Sequence, residues 1–172
     1  GESDDDRGRL GAVAARLDEF DAYTSTNLRS AFLVTEVCRP FFPPRAGPGE
    51  TRRDVSVVHI GSTRARQSER EGSEGYASAK AGLVGLMHAQ GQSLAGRARV
   101  NVVSPGWIDT EDDGECIVTE RDRRWHAAGR VGTPADVAEL VLFLADDEKS
   151  GFITCEEFVV DGGVSRRMYY PE

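Results

Sequence analysis

Val55-Ser56-Val57-Val58-His59-Ile60-Gly61-Ser62, followed across a polar stretch by Tyr76-Ala77-Ser78-Ala79-Lys80, is the passage on which the fold turns. This largely apolar, β-branched run of six residues, followed by glycine and serine, reads as a buried strand. Tyr76 to about Ala95 reads as a helix, with Ala77, Ala79, Ala81, Gly82 and Gly85 small enough for close packing. Residues four apart on a helix share one face, so Tyr76 and Lys80 stand one turn apart. An ammonium beside a phenol favours the charged form of that phenol. Such a tyrosine can exchange a proton with an alcohol or carbonyl oxygen near neutral pH. Ser62, fourteen residues before Tyr76, puts a hydroxyl at the strand end. With four tyrosines and two lysines in 172 residues, about 0.05 chance Tyr-x-x-x-Lys pairs are expected. The bland alternative is a surface helix with a solvated lysine. Nineteen arginines carry nearly all the other positive charge, and a compact ammonium can approach a phenol where a wide guanidinium fork cannot.

Outward from this passage the chain alternates helix and strand. Gly1 to Gly8 reads as an acidic, solvated lead-in. Leu17 to Arg39 reads as an amphipathic helix, with Leu17, Phe20, Leu28, Phe32 and Val34 as its apolar positions, ended by Pro40. Residues 43–54 read as a Pro/Gly loop and 63–75 as a second loop. Residues 99–103 are a second buried strand, closed by Ser104-Pro105-Gly106. Residues 111–130 are charged and irregular. Thr133-Pro134 starts another helix as N-cap and first residue, and Glu157 to Val160 is a third strand before Asp161-Gly162-Gly163. The order predicts parallel strands joined by right-handed crossovers in one α/β domain spanning 1–172.

Composition narrows the function classes. A net charge of −8 argues against nucleic acid and anionic membranes as partners. No apolar run reaches the ~20 residues of a membrane span. Cys38, Cys116 and Cys155 lack metal or disulfide spacing and point to reduced thiols in the cytoplasm. His59 and His126 read as packing or surface residues. Asp112-Asp113-Gly114-Glu115 lacks the alternation of a calcium loop and reads as solvated.

Five segments in order resemble the short-chain dehydrogenase/reductase family over roughly residues 17–170. They are Ser25-Thr26-Asn27-Leu28, Ile60-Gly61-Ser62, Tyr76-Ala77-Ser78-Ala79-Lys80, Val100 to Thr110 with its Pro105-Gly106 turn, and the pair Gly129 to Pro134 and Val160 to Gly163. The resemblance implies a Rossmann-like doubly wound parallel sheet, here its second half. It implies a tetrad in which Tyr76 is the proton donor or acceptor, Ser62 holds the substrate oxygen, Lys80 acts on Tyr76 and the cofactor ribose, and Asn27 anchors a relay water. Pro105, Gly106, Ile108 and Thr110 would flank the nicotinamide. NAD or NADP is the implied cofactor, a small molecule the substrate, and a homo-oligomer, dimer or tetramer, the implied assembly through the helices bearing Asn27 and Tyr76. Residues 111–130, with Trp107, Trp125 and Met168 to Tyr170, would form the substrate lid.

One family feature has no counterpart. No two glycines in the chain are four apart, so the Gly-x-x-x-Gly-x-Gly turn that cradles a dinucleotide pyrophosphate is absent. The expectation is therefore the catalytic half of the fold without its first four strands, leaving Val55–Ile60 as an open edge. The leading reading is an oxidoreductase interconverting a carbonyl and a secondary alcohol. The alternative is a catalytically silent, cofactor-free module that keeps only fold and oligomer contacts.

Overall fold

The computed structural model describes residues 4–45, 47, 55–110 and 118–168, with the side chains of 4–6 excepted. Helix α1 (Asp4–Thr24) runs through a π-helical turn (Ser25–Arg29) into α2 (Ser30–Cys38) and a 3-10 turn (Arg39–Phe41) at Pro40. Strand β1 (Val55–Ile60) leads by a 3-10 turn (Thr63–Ala65) to α3 (Glu74–Ser93), then β2 (Ala98–Pro105). Helices α4 (Glu120–Trp125), α5 (Pro134–Ala145) and α6 (Asp147–Ser150) precede β3 (Glu157–Val160).

The three strands are parallel in the order β1-β2-β3, with Val57 opposite Val100 and Val103 opposite Phe158. β1 is thus an edge of the described sheet. β2 is the centre, buried from Ala98 to Ser104. Strand alternation sorts the two faces. Val55, Val57, Val100 and Val102 pack with Met87 of α3, while Ser56 and Arg99 reach the Leu144 carbonyl of α5. Helices therefore cover both faces. The fully buried Arg99 is satisfied by Asp147 Oδ1 at 3.0 Å, Ser150 Oγ and the carbonyls of Leu144 and Ile153. That set locks the α5–α6 corner onto β2.

Two expectations need correction. The acidic lead-in is helical from Asp4, an arrangement suited to acidic residues at the positive end of a helix dipole. Part of the irregular 111–130 stretch is helix α4, because Thr119 and Asp122 close a capping box: Thr119 N–H donates to Asp122 Oδ2 at 2.8 Å and Asp122 N–H to Thr119 Oγ1 at 3.3 Å. Residues 111–117, with the Asp112–Glu115 run, lie outside the described residues, as do most of loop 43–54 and Tyr169 and Tyr170. The apolar face expected of Leu17 to Arg39 is present but uncovered. Leu17, Phe20, Phe32 and Val34 are exposed, and only Leu28 is drawn in, against Gly82 of α3. A Cβ on Gly82 would stand 2.7 Å from Leu28 Cδ2, so Gly82 supplies the close packing its size suggested. Gly85 faces open space instead.

Candidate active site

The end of β1 and the first turns of α3 build the site. Lys80 Nζ donates to the Ile60 carbonyl at 2.9 Å and lies 5.5 Å from the Tyr76 ring centroid. Burial pushes the Lys80 ammonium below its ordinary value, since a half-desolvated cation has lost part of its hydration. Tyr23 of α1 meets the Tyr76 ring edge-on, with centroids 6.0 Å apart at 76°, and fixes the phenol's plane. A Cβ on Gly75 would come 2.9 Å from Tyr23 Cδ2, so glycine lets α1 approach this closely.

Ser62, 8% exposed, caps the 3-10 turn and accepts a hydrogen bond from Arg64 N–H at 3.1 Å. Neither the Ser62 nor the Tyr76 hydroxyl donates to a protein acceptor among the described residues, so both protons remain available to a bound oxygen. Asn27 lies in the π-helical turn, beside α3. Its Nδ2 donates to the Tyr23 carbonyl at 3.1 Å. No hydrogen bond joins Asn27 to Lys80, or Ser62 to Tyr76, among the described residues. The structure thus joins Tyr76 and Lys80 by contact, brings Ser62 to the same strand end, and ties Asn27 to the pair through Tyr23.

Pro105 ends β2, and Gly106 N–H donates to the Val160 carbonyl at 2.9 Å. A Cβ at Gly106 would come 2.6 Å from Asp161 Cβ, which explains the glycine by close packing against the residue that follows β3. Ile108 bridges Gly132: Asp109 N–H donates to the Gly132 carbonyl and Gly132 N–H to the Trp107 carbonyl. Those bonds flank Ile108 and leave its own N–H and C=O without a partner among the described residues. A donor and an acceptor side by side suit a carboxamide, so the nicotinamide end of a dinucleotide fits here. Thr110 is exposed just beyond. No two of the 19 glycines in these 172 residues stand four apart.

The sequence reading missed Tyr23 and the Ile60 carbonyl. Tyr23 sits one turn before Asn27, and that spacing was the available signal. His59 and His126 are both buried, as packing residues. His59 Nε2 bonds Gln90 Oε1 at 2.8 Å, and burial pushes its imidazole below the ordinary value. Among the described residues no cluster of metal-ligating side chains forms, and no helix is long and apolar enough to cross a membrane.

A Tyr-x-x-x-Lys helix packed beside a serine-ended parallel strand is the arrangement of the oxidoreductase family that the sequence resembles. Comparison with known proteins agrees. The profile of the enoyl-(acyl carrier protein) reductase family matches residues 7–165. The chain belongs to the short-chain dehydrogenase/reductase family of oxidoreductases. An uncharacterized oxidoreductase of Thermotoga maritima is 39% identical over 163 residues, 91% of this chain and 60% of that protein. A 3-oxoacyl-(acyl-carrier-protein) reductase of the same organism is 32% identical over 88% of this chain and 59% of its own. The solved apo SCOR enzyme from Clostridium thermocellum superposes with a TM-score of 0.74 at 40% identity, over 89% of this chain and 56% of that one. The chain therefore spans about three fifths of the length of these relatives.

Proposed function

We propose that this chain carries the proton-transfer half of an NAD- or NADP-dependent oxidoreductase that interconverts a carbonyl and a secondary alcohol on a small molecule. The observation that carries the reading is the pair of unspent hydroxyl protons, on Ser62 and Tyr76, beside a partly desolvated Lys80. Ser62 O–H would hold the substrate oxygen while its own oxygen stays engaged by Arg64 N–H, which fixes the hydroxyl's direction. Tyr76 O–H would deliver a proton to that oxygen, and in reverse take it from the alcohol. Lys80 would leave the Ile60 carbonyl in part to hold a ribose hydroxyl, and Asn27 would anchor a water from the π-helical turn. Ile108, flanked by Pro105-Gly106 and Thr110, would hold the carboxamide. The bound dinucleotide would supply or accept the hydride. Trp125 and the 118–130 segment would cover the substrate.

The exposed apolar residues of α1 and α2 and a groove of about 730 Å³ between them and α3 support a homo-oligomer, dimer or tetramer, formed through these helices. Free Cys38 and Cys155 and the negative charge fit a cytoplasmic protein. A silent module is the second reading, favoured by the missing glycine-rich turn.

Tyr76→Phe separates the two. It keeps the ring that Tyr23 packs against and removes the proton. In a form of the protein that turns over a ketone, kcat should fall by about 10²-fold or more, with the thermal midpoint little changed. Turnover within a few-fold of wild type would discard the role given to Tyr76.

A further inference from the structure

Arg64 stands two residues beyond Ser62, in the 3-10 turn whose first N–H bonds the Ser62 hydroxyl. That turn packs on α3, the helix bearing Tyr76. The backbone of Arg64 is therefore fixed to the same frame as the reacting groups. Most arginines near the sheet are consumed by structure. Arg99 is buried among four acceptor groups, Arg97 donates to three backbone carbonyls, and Arg66 pairs with Glu157. Arg64 is different. Only its Nη1 is engaged, by Glu69 Oε1 at 2.6 Å, and no protein acceptor among the described residues takes Nε or Nη2.

The Glu69 side chain is 68% exposed and that of Arg64 33%, so the pair is a weak one that water or another carboxylate can replace. A guanidinium offers two parallel donors to a carboxylate, and Arg64 has donors to spare. Glu69 displays the ligand type: a single carboxylate held by a single cation, in a chain of net charge −8. We propose that Arg64 is a specificity-determining residue that anchors the carboxylate of an oxo acid or hydroxy acid substrate, with Glu69 as the internal occupant that the substrate displaces. The proposal rests on the reading of Ser62 and Tyr76 as the groups that receive the substrate's other oxygen.

The test is binding, and so does not depend on turnover. Pyruvate, acetoacetate and levulinate, which place the carbonyl at increasing distance from the carboxylate, are titrated alongside their neutral amides into the ¹⁵N-labelled chain. At least one acid should bind tenfold or more tightly than its amide and shift the Arg64 Nε–H resonance. Arg64→Gln should bring acid and amide to equal affinity with an otherwise unchanged amide spectrum. Glu69→Gln, an exposed change that folding tolerates, should tighten the acid severalfold by removing the competitor. Acids that bind no better than amides, binding of neither, or discrimination that survives Arg64→Gln would each overturn the proposal. Selective acid binding together with an active Tyr76→Phe would instead remove the catalytic reading and leave this site standing.

Discussion

At the scale of single residues, Cys155 and Gly91 form a pair whose logic only the folded chain reveals. Cys155 has φ of 61°, a left-handed conformation that costs a side-chain-bearing residue roughly 1 kcal/mol. Its Sγ occupies the place that a Cβ on Gly91 of α3 would need. Gly91→Ala alone should therefore destabilise, by about 1–3 kcal/mol of overpacking. In a Cys155→Gly background the same change should become neutral or stabilising, since alanine outranks glycine in a helix by about 1 kcal/mol. Urea melts of the four proteins measure the coupling, and simple additivity would exclude the contact. None of this could be read from sequence spacing, because the residues are 64 apart. Tyr76 and Lys80 were legible for the opposite reason: helical periodicity alone puts them on one face. The Ile60 carbonyl that holds Lys80 was not, since a backbone acceptor has no signature in the residue types.

At the scale of elements, β1 and β3 fell on their expected residues, because short apolar runs closed by Gly61 and by Asp161-Gly162-Gly163 admit little else. The α1–α2 helix was legible in its middle and not at its start, where charge without apolar periodicity looks like a solvated tail. The start of α5 was legible in Thr133-Pro134, but the strength of that cap was not. The Asp136 carboxylate accepts from Thr133 N–H at 2.7 Å and Thr133 Oγ1 at 2.9 Å, and takes a two-pronged ion pair from Arg130 at 2.7 and 2.6 Å. The Arg130 guanidinium and the Thr133 bonds hold this carboxyl well below the usual carboxylate range. With the folded value depressed, the unfolded chain binds the proton first as pH falls. The contribution is then complete above the ordinary value of 3.8 and drains away below it. Asp136→Asn should accordingly be less stable than wild type at pH 7, with the gap shrinking as pH drops below about 4. Denaturant midpoints at pH 7, 4 and 3 would show this. A gap that widens on acidification would contradict the sign.

At the scale of the whole molecule, the described sheet holds three strands, and the candidate site is built from the end of β1, the first turns of α3, the turn after β2 and the end of α1 with the π-helical turn that follows it. In the function proposed above, that arrangement would supply contacts to a carboxamide at Ile108 and to a ribose at Lys80. A dinucleotide's remaining weight is its pyrophosphate and adenosine, which need helix N–H groups approached closely through glycine. The sequence has no glycine spacing for that turn, and its net charge of −8 opposes a phosphate held by diffuse attraction. Binding also costs several kcal/mol of lost translation and rotation before any contact registers. Residues 1–172 by themselves should therefore bind NADH or NADPH only weakly, and turn over ketones poorly, even with the catalytic roles proposed for Ser62, Tyr76 and Lys80. Titration calorimetry measures this directly. A dissociation constant above about 100 μM is expected; one near 1 μM, about −8 kcal/mol, would require a phosphate site formed without the glycine turn.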